Sequence, residues 1–211
     1  MSPSASLFGF YGLVVAISLS GVMSPGPLTA ITLSRGRRDP FAGFWINVGH
    51  SLAETPLILA LIGGLGPFLR TPALFRALSL LGGALLLWMG AGLLRKRAGP
   101  GENPSPASLK GSPVLAGAAM TALNPYWLLW WLTVGLTLIA RARAFEAALV
   151  MVSMVALHLA CDLAWGTFLS WAVHRGGRTF RPAVWRRIEL GCGGALVLFA
   201  AYFLWEGITG G

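Results

Sequence analysis

The amino-acid sequence predicts an all-α, polytopic membrane protein with about six transmembrane helices that form two inverted three-helix repeats. Of its 211 residues, 55% are hydrophobic and only 11% are charged. The mean hydropathy of +0.71 lies above that of ordinary soluble domains. Apolar stretches of about 18 residues or more recur along the chain, and each can cross a hydrocarbon core roughly 30 Å thick. A set of motifs that appears once in each half of the chain predicts the repeat.

The apolar stretches predict the positions of the individual helices. The first stretch has no Lys or Arg before it and no small-residue cleavage pattern after it, so we expect a mature helix rather than a secretory signal. Cys161 and Cys192 fall within the fifth and sixth stretches, which argues against a disulfide framework. In chain order, the predicted helices span 7–33, 42–66, 73–94, 113–139, 145–173 and 185–207.

The basic residues predict how the chain is oriented in the membrane. The formal net charge of +9 would suggest a nucleic-acid partner in a soluble protein, but the positions of the charges favour a membrane topology instead. The loops after the first, third and fifth helices hold 12 of the 16 Lys and Arg residues. Since short cytoplasmic loops are rich in Lys and Arg, we expect these loops in the cytoplasm, both termini outside the cell, and no nucleic-acid partner.

Matching motifs in the two halves predict an internal repeat. The run from Leu81 to Leu85, Leu-Gly-Gly-Ala-Leu, is echoed from Cys192 to Leu196 as Cys-Gly-Gly-Ala-Leu. Because each half contains three spans, an odd number, the second repeat must lie upside down relative to the first, as in many secondary transporters. We therefore expect repeats at 1–97 and 113–211, joined by a cytoplasmic linker at 98–112 that is rich in Gly, Pro and Ser.

Prolines interrupt one apolar stretch in each half. Proline lacks an N–H group and clashes with the preceding turn, so it frees backbone carbonyls at the depth of the membrane. Such groups are tolerated where they line a cavity or are satisfied by neighbouring helices, although membrane helices also tolerate simple proline kinks. A matched pair of breaks favours a substrate cavity. The residues that we expect to line it are Pro25, Gly26, Pro27, Asn124 and Pro125.

A histidine and a carboxylate four residues apart occur in both halves. His50 and Glu54 lie in the second predicted helix, and His158 and Asp162 lie in the fifth, so each pair shares one helix face. A carboxylate at the centre of a bilayer costs on the order of 3 kcal/mol, so both should face the bundle interior. Together the four groups would relay protons, coordinate a substrate ammonium or bind a divalent metal ion. In the alternative interpretation, each histidine bonds its own carboxylate and only fixes helix packing.

Three tryptophans, Trp127, Trp130 and Trp131, follow the second break near the middle of a predicted helix, whereas interfacial tryptophans lie at helix ends. They are candidates for the wall of the cavity; the alternative is that they face lipid or pack against small residues. No His-Glu-x-x-His, Gly-x-Ser-x-Gly or phosphate-binding Gly-Lys-Ser/Thr motif occurs. We therefore predict no catalytic residue and no enzymatic activity.

Three motifs in order carry a resemblance to a known family. They are Ser24-Pro25-Gly26-Pro27, the run from Leu81 to Gly90, and Leu123-Asn124-Pro125. With these motifs the chain resembles the LysE/RhtB amino acid exporters over nearly its full length. The resemblance implies an exporter of amino acids or related small polar solutes, driven by the proton gradient. It also implies a homodimer in the cytoplasmic membrane that uses no cofactor.

Two departures from the family pattern bear on the substrate. The segment from His50 to Pro56 is more polar than the glycine-rich second helix that the family leads us to expect, and Tyr126 stands where the family often has Lys. The wider superfamily is similar to metal-ion exporters as well. A divalent heavy-metal exporter that uses the two His-x-x-x-carboxylate pairs is therefore the alternative, although we assign no resident metal ligand from the sequence.

Overall fold

The computed structural model describes residues 7–24, 26–69, 71–95, 111–176 and 182–209, and no strand occurs among them. In the first half, the helices are α1 (Leu7–Val22), α2 (Pro27–Gly36), α3 (Ala42–Ile62), α4 (Gly66–Leu69) and α5 (Pro72–Arg95). In the second half, they are α6 (Pro113–Ala122), α7 (Pro125–Trp130), a π-helical turn (Trp131–Gly135), α8 (Leu136–Arg143), α9 (Ala148–Gly176) and α10 (Pro182–Thr209).

Four helices in the described ranges are long and apolar enough to cross a membrane by themselves. They are α3, α9, the part of α5 from Arg76 to Arg95 and the part of α10 from Leu190 to Thr209. Two further spans form if a bent helix pair counts as one span: α1 with α2, which meet at 76°, and α6 with the helical segment that follows it, which meet at 62°. The four to six spans confirm the predicted all-α membrane fold.

The helix ends follow the predicted ends closely, but two predicted helices are broken rather than continuous. The first predicted helix, 7–33, consists of α1 and α2, and the fourth, 113–139, consists of α6 and the segment from Pro125 to Arg143. The second predicted helix, 42–66, ends early at Ile62. The reason is a turn in which Gly64 has a φ of +91°, a left-handed conformation that stops a helix.

Both breaks occur where a proline opens a new helix. Pro27 is the first residue of α2 and Pro125 is the first residue of α7, positions at which the missing N–H group and the fixed φ suit a helix start. Gly26 and Asn124 precede them in extended conformations, which end the preceding helical path. Pro25 lies outside the described residues, as does all of the predicted linker at 98–112 except its last two residues.

Small residues allow the helix backbones to approach closely. A Cβ atom at Gly49 of α3 would meet the backbone of Val114, and one at Gly117 of α6 would meet the backbone of Ile46. α5 and α10 approach in a similar way, since a Cβ atom at Gly90 would press against α10. Close backbone contact at small residues is a common basis of helix association in membranes.

The first span of each half packs against the second span of the other half. α1 and α2 contact α9, and α6 contacts α3, while α3 also contacts α9 and α5 contacts α10. Buried apolar residues form one cluster among α2, α3, α5, α6 and α10, and another among α1, α3, α9 and the segment from α7 to α8. Large apolar side chains such as Leu81, Leu149 and Leu198 are mostly exposed, as expected of surfaces that face lipid.

Candidate functional site

A cavity of about 90 Å³ lies between the two helix breaks. Gly26 and Pro27 line it at the first break, and Asn124 lines it at the second. Pro125 is buried next to Asn124 but does not line the cavity. A volume of this size holds several water molecules. Polar groups in its walls are therefore within reach of a small solute.

The two breaks differ in how the new helix begins. Asn124 caps α7, because its side-chain Oδ1 accepts a hydrogen bond of 3.1 Å from the backbone N–H of Tyr126. Among the described residues, no side chain caps α2, whose first residues Pro27, Leu28 and Thr29 all line the cavity. The first N–H groups of a helix have no partner within it and attract anionic groups. The start of α2 is therefore the more suitable of the two breaks for an anionic group.

The four predicted histidine and carboxylate residues meet at the cavity wall. His50 Nε2 lies 3.2 Å from Glu54 Oε1 and 3.6 Å from Asp162 Oδ2. His158 Nε2 lies 3.4 Å from Glu54 Oε2 and 3.4 Å from Asp162 Oδ2. Each histidine thus contacts both carboxylates, one on its own helix and one on the other.

This cluster is brought together by a close crossing of α3 and α9. A Cβ atom at Gly43 of α3 would collide with the backbone of Gly166 of α9, and one at Gly166 would collide with the side chain of Asn47. Ser170 Oγ of α9 stabilises the same crossing, because it donates a hydrogen bond of 2.7 Å to the carbonyl of Pro40, just before the start of α3. Because residues four apart share one helix face, the histidine and the carboxylate of α3 both face α9, and those of α9 both face α3.

Burial makes the charges of the cluster depend on one another. Glu54 is 1% exposed and Asp162 is 2% exposed, and both histidines are buried as well. An ionised carboxylate so far from water is costly without a partner of opposite charge. Protonated imidazoles of His50 and His158 can balance the two carboxylates, so the cluster can hold different numbers of protons or an added cation.

Glu54 and Asp162 differ in their hydrogen-bond donors. Glu54 Oε1 accepts hydrogen bonds of 2.9 Å from Trp127 Nε1 and 2.8 Å from Trp131 Nε1. An indole N–H group can only donate, so these bonds favour the ionised form of Glu54. Within the described residues, Asp162 Oδ2 accepts no hydrogen bond. The two carboxylates are therefore not equivalent.

A hydroxyl group holds each histidine ring on the side away from the carboxylates. His50 Nδ1 lies 2.8 Å from Thr121 Oγ1, which itself donates to the carbonyl of Gly117 over 2.8 Å. Since the single hydroxyl proton is used in that bond, Thr121 accepts from His50 Nδ1–H, and Nε2 is left to face the carboxylates. His158 Nδ1 lies 2.9 Å from Ser18 Oγ in a similar arrangement.

The three tryptophans that were predicted as a cavity wall take different positions. Trp127 and Trp130 line the cavity, and Trp130 stacks on His158 with ring centroids 5.5 Å apart. Trp131 is 1% exposed and does not line the cavity, because its indole is turned inward to donate to Glu54. The π-helical turn begins at Trp131, and a Cβ atom at Gly135 would collide with the Trp131 ring. Gly135 is therefore needed for this position of the ring.

Sequence reasoning missed Ser18, Thr121 and Trp165 as parts of the site. Ser and Thr are common in apolar helices and usually bond their own backbone, so no spacing marked the two hydroxyls as partners of histidines. Trp165 lines the cavity, and its Nε1–H has no acceptor among the described residues. The available signal was its position three residues after Asp162, on the same face of α9.

The cluster has the chemistry of a small cation site. His50, Glu54 and Asp162 each offer a ligand atom, and these atoms lie within 4.8 Å of one another. Nitrogen and oxygen atoms at this spacing suit a divalent cation, and the two carboxylate groups also suit an ammonium group. The geometry alone is compatible with either type of ligand.

Comparison with known proteins identifies the family. The family described as LysE type translocator matches residues 19–207, a range that includes both breaks and the whole histidine–carboxylate cluster. No curated protein and no solved structure matches the chain. Members of this family export small solutes across membranes, so a small-molecule solute and the lipid bilayer are partners of this chain. The chain is a multi-pass membrane transport protein that belongs to the LysE type translocator family.

Proposed function

We propose that the chain is a secondary transporter that exports amino acids or related small polar solutes across the cytoplasmic membrane, driven by the proton gradient. The observation that carries the proposal is the buried cluster of His50, Glu54, His158 and Asp162 at a cavity between two broken helices. Broken helices in corresponding halves mark the binding site in many secondary transporters. Intramembrane ionisable residues that face a cavity are typical of ion pathways and proton relays.

The two carboxylates have different roles in this proposal. Glu54 anchors the substrate ammonium, because two indole N–H groups stabilise its negative charge. Asp162 Oδ2 accepts no hydrogen bond from the described residues, and in this proposal Asp162 exchanges the substrate cation for a proton. His50 and His158 each contact both carboxylates, so they can pass the proton from one to the other.

Alternating access would come from rocking of the repeats 1–97 and 113–211 against each other. Two matched contacts support this part of the proposal. His50 of α3 bonds Thr121 of α6, and His158 of α9 approaches Ser18 of α1, so each histidine meets a hydroxyl from the first span of the opposite half. The basic loops favour an orientation with both termini outside, and entry of the substrate from the cytoplasm follows from the resemblance to exporters. The resemblance to the exporters adds a homodimer to the proposal.

Efflux from proteoliposomes of controlled orientation tests the proposed function. Vesicles are preloaded in parallel with a labelled amino acid mixture and with a panel of divalent metal ions, and an inward proton gradient is imposed. We expect efflux of amino acids that depends on the gradient and is absent from vesicles without protein. Efflux of metal ions alone would contradict the proposal and would favour the divalent heavy-metal exporter instead.

Thr121→Val is expected to slow transport about tenfold, because a buried donor that loses its acceptor costs about 1–3 kcal/mol. Valine keeps the shape of threonine but cannot accept from His50 Nδ1–H, so the imidazole is no longer held toward Glu54. Initial efflux rates at several external pH values measure the effect, since a change in the pH profile would not follow from a packing defect alone. Thr137→Val, at an exposed position of α8, is the matched control. Equal rates and equal pH profiles for both variants would contradict a positioning role for Thr121.

A further inference from the structure

We propose that the exported solute is an amino acid with an uncharged, apolar side chain, an inference that rests on the proposed function. The histidine–carboxylate cluster and the start of α2 form one polar region of the cavity. The rest of its described lining contains aromatic and aliphatic side chains together with a few uncharged polar ones, such as Thr32 and Asn47. These two regions correspond to the two parts of such a substrate, its ammonium and carboxylate groups and its side chain.

The polar region has a place for each charged group of the substrate backbone. Glu54 Oε2 and Asp162 Oδ2 are buried, line the cavity and accept no hydrogen bond from the described residues, so they are available to an ammonium group. The uncapped start of α2 lines the same cavity and suits a carboxylate. The corresponding start of α7 is already satisfied by Asn124, which gives the substrate one orientation.

The apolar region is built by side chains from three helices. Phe199 of α10 packs against Tyr126 of α7 with ring centroids 5.7 Å apart. Leu86 of α5 and the indoles of Trp127 and Trp130 continue the same wall. An apolar side chain that leaves water to contact this wall contributes favourably to binding in proportion to the area it buries.

A charged side chain finds no counter-ion in this region. Glu54 and Asp162 are the only acidic residues among the described lining residues, and the ammonium group of the substrate backbone occupies both of them in this proposal. The described lining also contains no Lys or Arg that would pair with an acidic side chain, and the two imidazoles already face Glu54 and Asp162. The Nε1–H group of Trp165 can donate a hydrogen bond, but it carries no charge. A second ammonium or carboxylate on the substrate would therefore be removed from water without a counter-ion, which is unfavourable.

A cation–π contact does not replace the missing counter-ion. A contact between an ammonium group and a tryptophan ring contributes less free energy than is lost when an unpaired ammonium group is removed from water. Trp130 also has one face covered by the stacked ring of His158. The side-chain region thus selects against basic amino acids even though it is rich in aromatic rings.

L-norleucine and L-lysine test this inference directly, because they share a carbon chain and differ by the terminal ammonium group of lysine. Efflux of labelled L-leucine through the wild-type protein is measured in the presence of each compound as an unlabelled competitor. We expect lysine to require a concentration at least about tenfold higher than norleucine for the same inhibition. Norleucinamide, which lacks the carboxylate, should compete as weakly as lysine. Equal or stronger competition by lysine would overturn the inference.

The failure of this inference can be distinguished from the failure of the proposed function. If labelled lysine moves in response to a proton gradient and leucine does not, amino acid export stands and the assignment of the side-chain region is wrong. If neither lysine nor leucine nor any other amino acid moves while the protein is folded in the vesicles, both are wrong.

Phe199→Ala locates the apolar region in the structure. We expect the affinity for norleucine to fall about tenfold, because the variant removes the ring that faces the substrate side chain, and competition by lysine to stay as weak as before. Tyr202→Ala, at a half-exposed position of the same helix that does not line the cavity, should compete like the wild type. Unchanged norleucine affinity in folded Phe199→Ala protein would overturn the placement of the side chain against this wall.

Discussion

Replacing Glu54 with glutamine is expected to abolish solute transport while the helices still insert in the membrane. Glutamine keeps the shape of the side chain but removes the charge that His50, His158 and the substrate ammonium face. A neutral amide can neither pair with the substrate ammonium nor take up a proton, so we expect the transport rate to fall roughly 100-fold or more, which corresponds to about 3 kcal/mol on the barrier. Initial efflux rates from proteoliposomes, normalised to the amount of folded protein, measure the loss.

Glu206→Gln is the matched control for this experiment. Glu206 lies on α10 and does not line the cavity, so the same chemical change should leave the transport rate near that of the wild type. Asp162→Asn should lose transport as Glu54→Gln does, because the proposal requires both carboxylates. Full activity in both Glu54→Gln and Asp162→Asn would rule out the cluster as the transport site.

The second large effect concerns stability rather than transport. Gly49→Ala is expected to destabilise the packing of α3 against α6, because the added Cβ would collide with the carbonyl of Val114. A backbone carbonyl cannot turn away as the end of a flexible side chain can, so the two helices must separate. Overpacking of this kind costs about 1–3 kcal/mol, which corresponds to a fall in Tm of roughly 10 °C at the upper end. Thermal unfolding of the purified protein in detergent, followed by size-exclusion chromatography, measures the shift.

Gly191→Ala separates this steric effect from the general effect of adding a methyl group to a membrane helix. Gly191 lies in α10, and a Cβ atom there would meet no other atom within 4 Å. We expect the Tm of this variant to equal or slightly exceed that of the wild type, since alanine favours the helix more than glycine does. A Tm for Gly49→Ala as high as that of Gly191→Ala would show that α3 and α6 do not pack as closely as described.

The positions and order of the apolar helices could be predicted from the sequence because hydrocarbon thickness sets the length of an apolar helix. The separation of two of these spans into two helices each could not be predicted. Pro27 and Pro125 each mark a helix start as well as a kink, and only the extended backbone at Gly26 and Asn124 turns the kink into two separate helices. That difference depends on the conformation of one residue, which hydropathy does not report.

The convergence of the four ionisable side chains could be predicted because a spacing of four residues fixes their helix face and the cost of burial turns them inward. Their partners could not be predicted in the same way. The bonds from Trp127 and Trp131 to Glu54 cross between α3 and the segment that begins at α7, more than 70 residues along the chain. The π-helical turn, in which the ring of Trp131 lies against Gly135, has no simple sequence pattern either.

Proton movement that accompanies amino acid export tests the central claim most directly. Proteoliposomes with a pH-sensitive dye inside are loaded with amino acid at equal internal and external pH, and the external amino acid is then removed by dilution. We predict that amino acid efflux through the wild-type protein acidifies the interior, because each exported molecule is exchanged for a proton, and that vesicles with Glu54→Gln show no change. Amino acid efflux without any change in internal pH would contradict proton coupling at the histidine–carboxylate cluster.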